Sequence, residues 1–417
     1  MKIAIIGAGF TGLSAALHLT KLGHDVTVFE KEATLGGLAG TFRQTSWKWS
    51  LEKHYHHWFT NDCFALNLIK ELNLDKYLRF PKTVTSVFYQ GKIYPLNSAF
   101  DVLSFSPLSL PLRIRLGLVT AFLKILPSFA AMKLETTTAL NWLKHWYCVR
   151  ILTLLWQPLF WGKFGKHAPN VNMTWFWARI KKRTPRLGYL EGGYQRLVEA
   201  MAAKIKEKGG KIFLQREFHP LQELVQFDKV IVTTPSFVFA KIFPSLPYSY
   251  KKRLTQIPHL HALNFVLITR EKFLQKTYWL NISDPGFPFI GIIQQTNMMA
   301  VKYYGGNHIA WVANYLPPDH PYLKMTKEEL LKVYLPYLKK INSEFSILDS
   351  KLFFGPFAQP VFPANYSKIR PQFTTPLPNI YLANMDMVYP WYRGTNYAIE
   401  LGYKVAKLIH SSTPGES

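Results

Sequence analysis

Along the first thirty residues the apolar positions change from a continuous run to helical spacing and back, which predicts strand, helix, strand. Ile3 to Ile6 form an unbroken apolar run, as a strand buried on both faces requires. Leu13, Ala16, Leu17 and Leu19 then fall on one face of a helix, and "DVTVFE" reads as a second strand. "TSVFYQGKIYPL" (85–96) alternates around Gln90-Gly91 and predicts a hairpin. Helical segments are expected through 100–180, and "HALNFVLIT", "FPFIGIIQQT" and "HIAWVANYL" between 261 and 354 predict a sheet. "TKEELLKVYLPYLKKI" reads as a helix with Thr326 as its cap.

Gly7, Gly9 and Gly12 give G-x-G-x-x-G at the junction of the first strand and first helix, with Phe10 and Thr11 inside the turn. Gly7 permits the tight turn, Gly9 lets the backbone approach a pyrophosphate, and Gly12 lets the helix pack closely. The helix N-terminus offers amide hydrogens and partial positive charge to phosphates. Glu30 ends the second strand, 18 residues past Gly12. Its carboxylate can accept hydrogen bonds from ribose hydroxyls and would repel a 2′-phosphate, which argues against NADP. These residues leave NAD and FAD open. No second G-x-G-x-x-G follows, so a separate nicotinamide domain is not expected.

"KEATLGGLAGTF" places Gly36, Gly37 and Gly40 just after Glu30, and Leu38 beside them. With Glu30, Lys31, Gly36 and Gly37 in E-K-x-x-x-x-G-G order, the chain resembles the FAD-dependent family of amine oxidases, protoporphyrinogen oxidases, phytoene desaturases and UDP-galactopyranose mutases. The resemblance implies extended FAD with its flavin between two lobes. It implies an α/β fold: a Rossmann-like FAD-binding domain of glutathione-reductase type with an interleaved α+β substrate domain. The expected division is 1–84, 187–240 and 355–411 for the first, 85–186 and 241–354 for the second, and a tail at 412–417.

The family pattern carries further expectations. Glu52 to His56 fits the strand that passes the flavin, E-x-G-P or G-A-H, which implies Tyr55 and His56 beside the ring; His54 replaces the usual glycine. "HWFTND" is similar to the mutases' "IFHTND". Gly192-Gly193 matches the glycine-pair helix, Phe218 the residue whose backbone reads the adenine, and Thr234 the Thr-x-Pro strand end near the cofactor. Ala383-Asn384 stand where Gly-Asp usually supports the phosphates and ribityl chain, so Asn384 is expected to hydrogen-bond a hydroxyl. Amides near Thr395, Asn396 and Tyr397 are expected to point at the flavin's pyrimidine end, where reduction places negative charge. His56, Tyr392 and Arg393 are the candidates for the flavin-facing cavity, and no catalytic residue is otherwise named. The implied activity is hydride transfer from a C–H or C–N centre to flavin, reoxidised by oxygen or a quinone-type acceptor. The alternative is a flavin-dependent sugar-nucleotide mutase, against which stands the lack of a paired-arginine pattern for a diphosphate.

His54, His56 and His57 leave three readings open. A metal site lacks further ligands: His54 and His56 would share a strand face, with His57 opposite, and no H-E-x-x-H or Cys/His spacing helps. Structural histidines and a flavin-proximal wall remain, and position favours the wall. Among the aromatic residues at 156–177, most are expected in the core and some in a substrate pocket. The run Arg179, Lys181, Lys182, Arg183, Arg186 reads first as a solvated face.

With 50 Lys+Arg against 25 Asp+Glu, the chain of 417 residues has a formal charge of +25. Such a field favours anionic partners, unless it reflects a proteome-wide bias. No helix-turn-helix, zinc-finger or RNA-binding signature accompanies it, so nucleic acid is not an expected partner. A small-molecule substrate, anionic or lipid-linked, is. Residues 102–134 are apolar but carry Arg113, Arg115, Lys124, Lys133 and Pro127, which suits a helix of the substrate lobe or one lying on a bilayer rather than across it. Cys63 and Cys148 are too few for a disulfide framework and fit a reducing compartment. The opening strand leaves no room for a signal peptide, so cytoplasmic residence is expected, with peripheral contact at the membrane's inner face as the variant. Oligomeric state is not legible.

Overall fold

The computed structural model describes residues 1–391 and 393–412. Its first sheet has five parallel strands in the order Lys211–Phe213, Asp25–Phe29, Lys2–Ile6, Lys229–Val232, Ile380–Leu382. Lys2–Ile6 sits in the middle with only its first residue exposed, which explains the unbroken apolar run. The helix Phe10–Lys21 covers one face, crossed by the C-terminal helix Thr395–Ser411. Gly402 permits that crossing: a Cβ there would lie 2.3 Å from the Thr11 carbonyl oxygen. Ser14 ties the two helices by donating to the Ile399 carbonyl at 2.8 Å.

The second sheet has seven strands, ordered Ile347–Pro360, His259–Thr269, His308–Leu316, Gly291–Gln294, Trp279–Ile282, Thr85–Tyr89, Lys92–Pro95. Its pairs are antiparallel except Trp279–Ile282 beside Thr85–Tyr89. Thr85–Tyr89 and Lys92–Pro95 form the expected hairpin, turning at Gln90 and Gly91, both at positive φ. Ile347–Pro360 is one continuous strand, so the expected seam at 354/355 falls inside it. Thr326 caps the helix Lys327–Ile341 in a reciprocal capping box with Glu329.

Between the sheets' contributions, residues 99–182 are mostly helical. Phe160, Phe164, Trp175, Phe176 and Trp177 are buried in that layer, as an apolar core requires, whereas Trp161 is exposed. The basic run that follows is not simply solvated. Arg183 is half-buried and donates to Thr85 Oγ1 at 2.7 Å, while Arg186 is exposed.

Candidate functional site

Two glycine turns meet at the carboxyl end of the first sheet. Gly7, at φ +104°, donates its N–H to the Phe29 carbonyl at 2.8 Å. Gly12 then sits so close that a Cβ would lie 1.9 Å from the Gly7 carbonyl oxygen. The Gly36 N–H donates to the Ala8 carbonyl at 3.0 Å, which seats the second turn on the first. Gly37, at φ +56°, faces Gly9 so tightly that its Cβ would fall 3.3 Å from Gly9 Cα. Above this floor the helix Phe10–Lys21 starts with no side-chain cap and no acid in its first turn, leaving its opening amides for an anion.

Glu30 is buried and pinned: its carboxylate accepts from Ala8 N–H at 2.8 Å and Glu32 N–H at 3.0 Å. Lys31 is exposed, its ammonium 3.7 Å from the Glu32 carboxylate. Leu38 is half-buried and reaches toward Gly355 of the second sheet. The Phe218 side chain packs in the core, 5.3 Å from the Phe29 ring, so only its backbone is available to a ligand.

At the other end, Thr395–Ser411 also opens with no side-chain cap and no acid in its first turn. Side chains there are largely committed to holding it. Thr395 Oγ1 accepts from Trp58 Nε1 at 2.9 Å, and Asn396 Oδ1 accepts from Ala65 N–H at 3.1 Å. Asn384 departs from the expectation of a hydroxyl contact through its side chain. Its amide donates to the Thr234 carbonyl and Ser236 Oγ, and its oxygen accepts from Asp386 N–H. What that turn offers a ligand is main chain.

Whether FAD fits can be judged from what is unfilled. Among the described residues the Thr234 hydroxyl oxygen and the Tyr397 hydroxyl are buried without a hydrogen-bond partner, one beside each helix start. Native interiors rarely leave such groups unmatched. With the Gly9–Gly37 cradle and two uncapped helix N-termini, the residues fit an extended dinucleotide.

The histidines do not lie on a regular strand; pairing stops at Glu52, and His54 to His57 are irregular. All three turn inward, against the expected alternation of faces. His54 Nδ1 accepts from Asn264 Nδ2 at 2.8 Å. His56 Nδ1 lies 2.6 Å from the His54 carbonyl, which can only accept, so Nδ1 carries the proton and Nε2 a lone pair when neutral. His57 is edged by the rings of Trp279 and Phe59. Burial, with nearby cations, pushes their pKa values down, to about 3 for His54 and His57 and about 4 for His56. Neutral imidazoles are thus the resting state. Among the described residues no group of three or more His, Cys, Asp or Glu is placed to hold a metal.

Beside them is a hub that spacing did not disclose. Tyr315 Oη lies 2.9 Å from Tyr55 Oη, accepts from Arg393, and has Lys163 Nζ 4.0 Å from its ring centre. Arg393 also donates to the Ala358 carbonyl at 2.7 Å, tying the start of the C-terminal helix to the second sheet. Arg393 lowers the proton affinity of His54 and His56, and Arg179 and Arg183 lower that of His57. Tyr392, the third cavity candidate, lies outside the described residues. Two buried carboxylates lie close by, Glu52 from the strand already singled out and Asp386 unsignalled by the sequence. Glu52 accepts from Tyr189 Oη and Tyr194 N–H, each at 2.7 Å. Asp386 accepts from His259 and Ser236.

Solved structures share this fold. A structure from Exiguobacterium sp. 255-15 assigned as a protoporphyrinogen oxidase superposes with TM-score 0.75 at 15% identity, covering 99% of each chain. Reduced UDP-galactopyranose mutase superposes with TM-score 0.74 at 14% identity, covering 99% of this chain and 96% of the mutase. In sequence, 15-cis-phytoene desaturase of Synechococcus elongatus is 35% identical over 101 residues, 24% of this chain and 21% of the desaturase. The matched stretch thus spans about a fifth of that relative. Residues 10–410 match the family described as flavin containing amine oxidoreductase. Nearly the whole chain is covered by that match, and the protein belongs to the flavin-containing amine oxidoreductases, an FAD-dependent family.

Proposed function

We propose that this protein is an oxidoreductase in which a small organic substrate loses a hydride from a C–H or C–N centre. Bound FAD supplies the two-electron acceptor. Gly7, Gly9, Phe10, Thr11, Gly12, Gly36 and Gly37 would hold its pyrophosphate, Glu30 the adenosine ribose, and Phe218 backbone the adenine. Thr234 would lie beside the ribityl chain, and the amides at Thr395, Asn396 and Tyr397 would stabilise charge gained at the pyrimidine. The observation that carries this reading is the Gly36–Ala8 hydrogen bond, which makes two glycine turns a single floor under a helix N-terminus.

Tyr55, His56 and Arg393 would face the substrate. The cations Lys163, Arg179, Arg183 and Arg393, which bear on Tyr315 and the histidines, support an anionic or lipid-linked substrate. Free Cys63 and Cys148 support a reducing, cytoplasmic setting. The two sheets support a discontinuous division into FAD and substrate lobes, with the last seam moved past Pro360.

A second reading has one observation in its favour. Arg179 and Arg183, four residues apart, both bear on His57, a cation pair suited to a diphosphate. The test is an anaerobic screen of amines, porphyrinogens, polyenes and UDP-sugars on yellow, FAD-loaded protein. Bleaching by one of the first three classes supports the oxidoreductase. Turnover of a UDP-sugar only by prereduced protein, with no bleaching by any donor, overturns it for the mutase.

A further inference from the structure

The helix Leu110–Ile125 is apolar on two opposite faces. Leu116 and Leu123 are buried against the protein, but Leu110, Ile114, Leu118, Phe122 and Ile125 are exposed, Leu118 at 67% and Ile125 at 75%. At about 100° per residue the five exposed side chains form a stripe roughly 120° wide, turned away from the buried pair. On the same wheel Arg115 flanks one edge and Arg113 and Lys124 the other. The next helix, Ser128–Met132, adds Phe129 at 75% exposure, and Trp146 stacks on Phe122 with planes 14° apart.

A monomer rarely shows water so wide an apolar band. No single helix among the described residues is long and apolar enough to cross a membrane, and the pair Leu110–Ile125 and Ser128–Thr136 is bent by 106°. A band of this width calls for a covering partner. Its charge selects the covering partner. Residues 102–150 carry Arg113, Arg115, Lys124, Lys133, Lys144 and Arg150, and one acid, Glu135, which is buried and accepts from the Ser367 N–H. A second copy of the chain would set cations against cations. An anionic lipid leaflet offers acyl chains for the stripe and headgroups for its rims.

We propose that this helical face seats the protein on an anionic lipid bilayer, with Leu118, Ile125 and Phe129 entering the acyl boundary and Trp146 at headgroup depth. The inference is independent of the redox reading. It is tested by flotation of the full chain with phosphatidylcholine vesicles, with and without phosphatidylglycerol, at low and high salt. The protein should float only with phosphatidylglycerol vesicles, and less at high salt. The triple change Leu118→Glu, Ile125→Glu, Phe129→Glu should cut partitioning by at least roughly tenfold. Lys133→Gln, Lys144→Gln and Arg150→Gln, all exposed, should each cost roughly fivefold on anionic vesicles. Thermal melting and flavin content should be unchanged in every variant, which separates a lost surface from a lost fold or a failed flavin site. The proposal is overturned if the wild type stays at the bottom of the gradient with phosphatidylglycerol vesicles at low salt. It is equally overturned if the triple variant floats like the wild type, or if sedimentation shows a dimer that Leu118→Glu dissolves while neither floats.

Discussion

His259 Nε2 lies 2.6 Å from Asp386 Oδ1, joining the first residue of a strand in the seven-stranded sheet to the turn after the last strand of the other. The second ring nitrogen faces the Ile257 carbonyl at 2.8 Å, so both nitrogens donate and the ring is an imidazolium. Burial opposes that charge, but Asp386 more than offsets it, raising the histidine's pKa; burial likewise opposes the charge on Asp386, and His259 lowers it overall. Asp386 also takes the Ser236 hydroxyl, next to the turn that Asn384 braces.

The pair should therefore act as a pH-limited latch between the sheets. A raised histidine contributes stability that is complete below its ordinary value of 6.5 and lost as pH rises through the folded value. A depressed aspartate contributes stability above 3.8 that is lost as pH falls through its folded value. Asp386→Asn should cost about 3 kcal/mol in urea unfolding at neutral pH, because it strands a buried imidazole partner. In His259→Gln the loss of stability on going alkaline should flatten. A wild-type slope retained in that variant would remove the latch.

Gly37→Ala and Gly12→Ala separate ligand from fold. At Gly37 a methyl would press on Gly9 with φ +56°, in the cradle itself, so the purified variant should be colourless with modest change in melting. At Gly12 a methyl 1.9 Å from the Gly7 carbonyl oxygen forces helix from strand, and overpacking of this kind costs about 3 kcal/mol. That variant should lose both flavin and stability. Absorbance spectra and denaturant midpoints on both proteins decide it.

The glycine floor and Glu30 were legible because their partners are local: spacing in one strand–turn–helix–strand unit fixes them. In the sheet behind them the first strand was legible from its unbroken apolar run, and the strands after Glu30 only through the family resemblance. The histidine wall was only half so, since period-two alternation presumes an extended strand and the chain at His54 to His57 is not one. Tyr55 meets Tyr315 and His259 meets Asp386 across separations of 260 and 127 residues, which no local pattern encodes. Arg179 and Arg183 did carry a signal, an i, i+4 spacing, with Arg179 in the last turn of the helix Met173–Lys182 and Arg183 ending it. Composition read them as solvent-facing because a basic run usually is.

Histidine chemistry should be silent in the pH dependence of turnover. With folded pKa values near 3 to 4, His54, His56 and His57 stay neutral from pH 5 to 8, so kcat/KM should show no inflection from them there. They should instead make the fold acid-labile. The unfolded chain binds protons near 6.5 that the folded one refuses, so stability falls with pH below that point. His57→Phe, which also gives up the contact with the Tyr278 hydroxyl, should fare about 1–2 kcal/mol better against the wild type at pH 5 than at pH 8. An equal difference at both values would mean packing, not protonation.

Glu52 poses the opposite case, a carboxyl whose protonated form the fold prefers. It is fully buried, and burial lifts its pKa from 4.5 to about 7 despite hydrogen bonds from Tyr189 and the Tyr194 N–H. Between those two values the folded state holds a proton that the unfolded chain releases, so stability falls as pH rises and levels off above 7. Glu52→Gln is close in shape, keeps an acceptor for Tyr194 N–H, and cannot ionise. Its amide can donate to the Tyr189 oxygen, with that hydroxyl turned away. The variant should melt like the wild type at pH 5 and be more stable by up to about 3 kcal/mol at pH 8. Lower stability at pH 8 would show that the charged carboxylate, not the acid, is what Tyr189 and Tyr194 are arranged to hold.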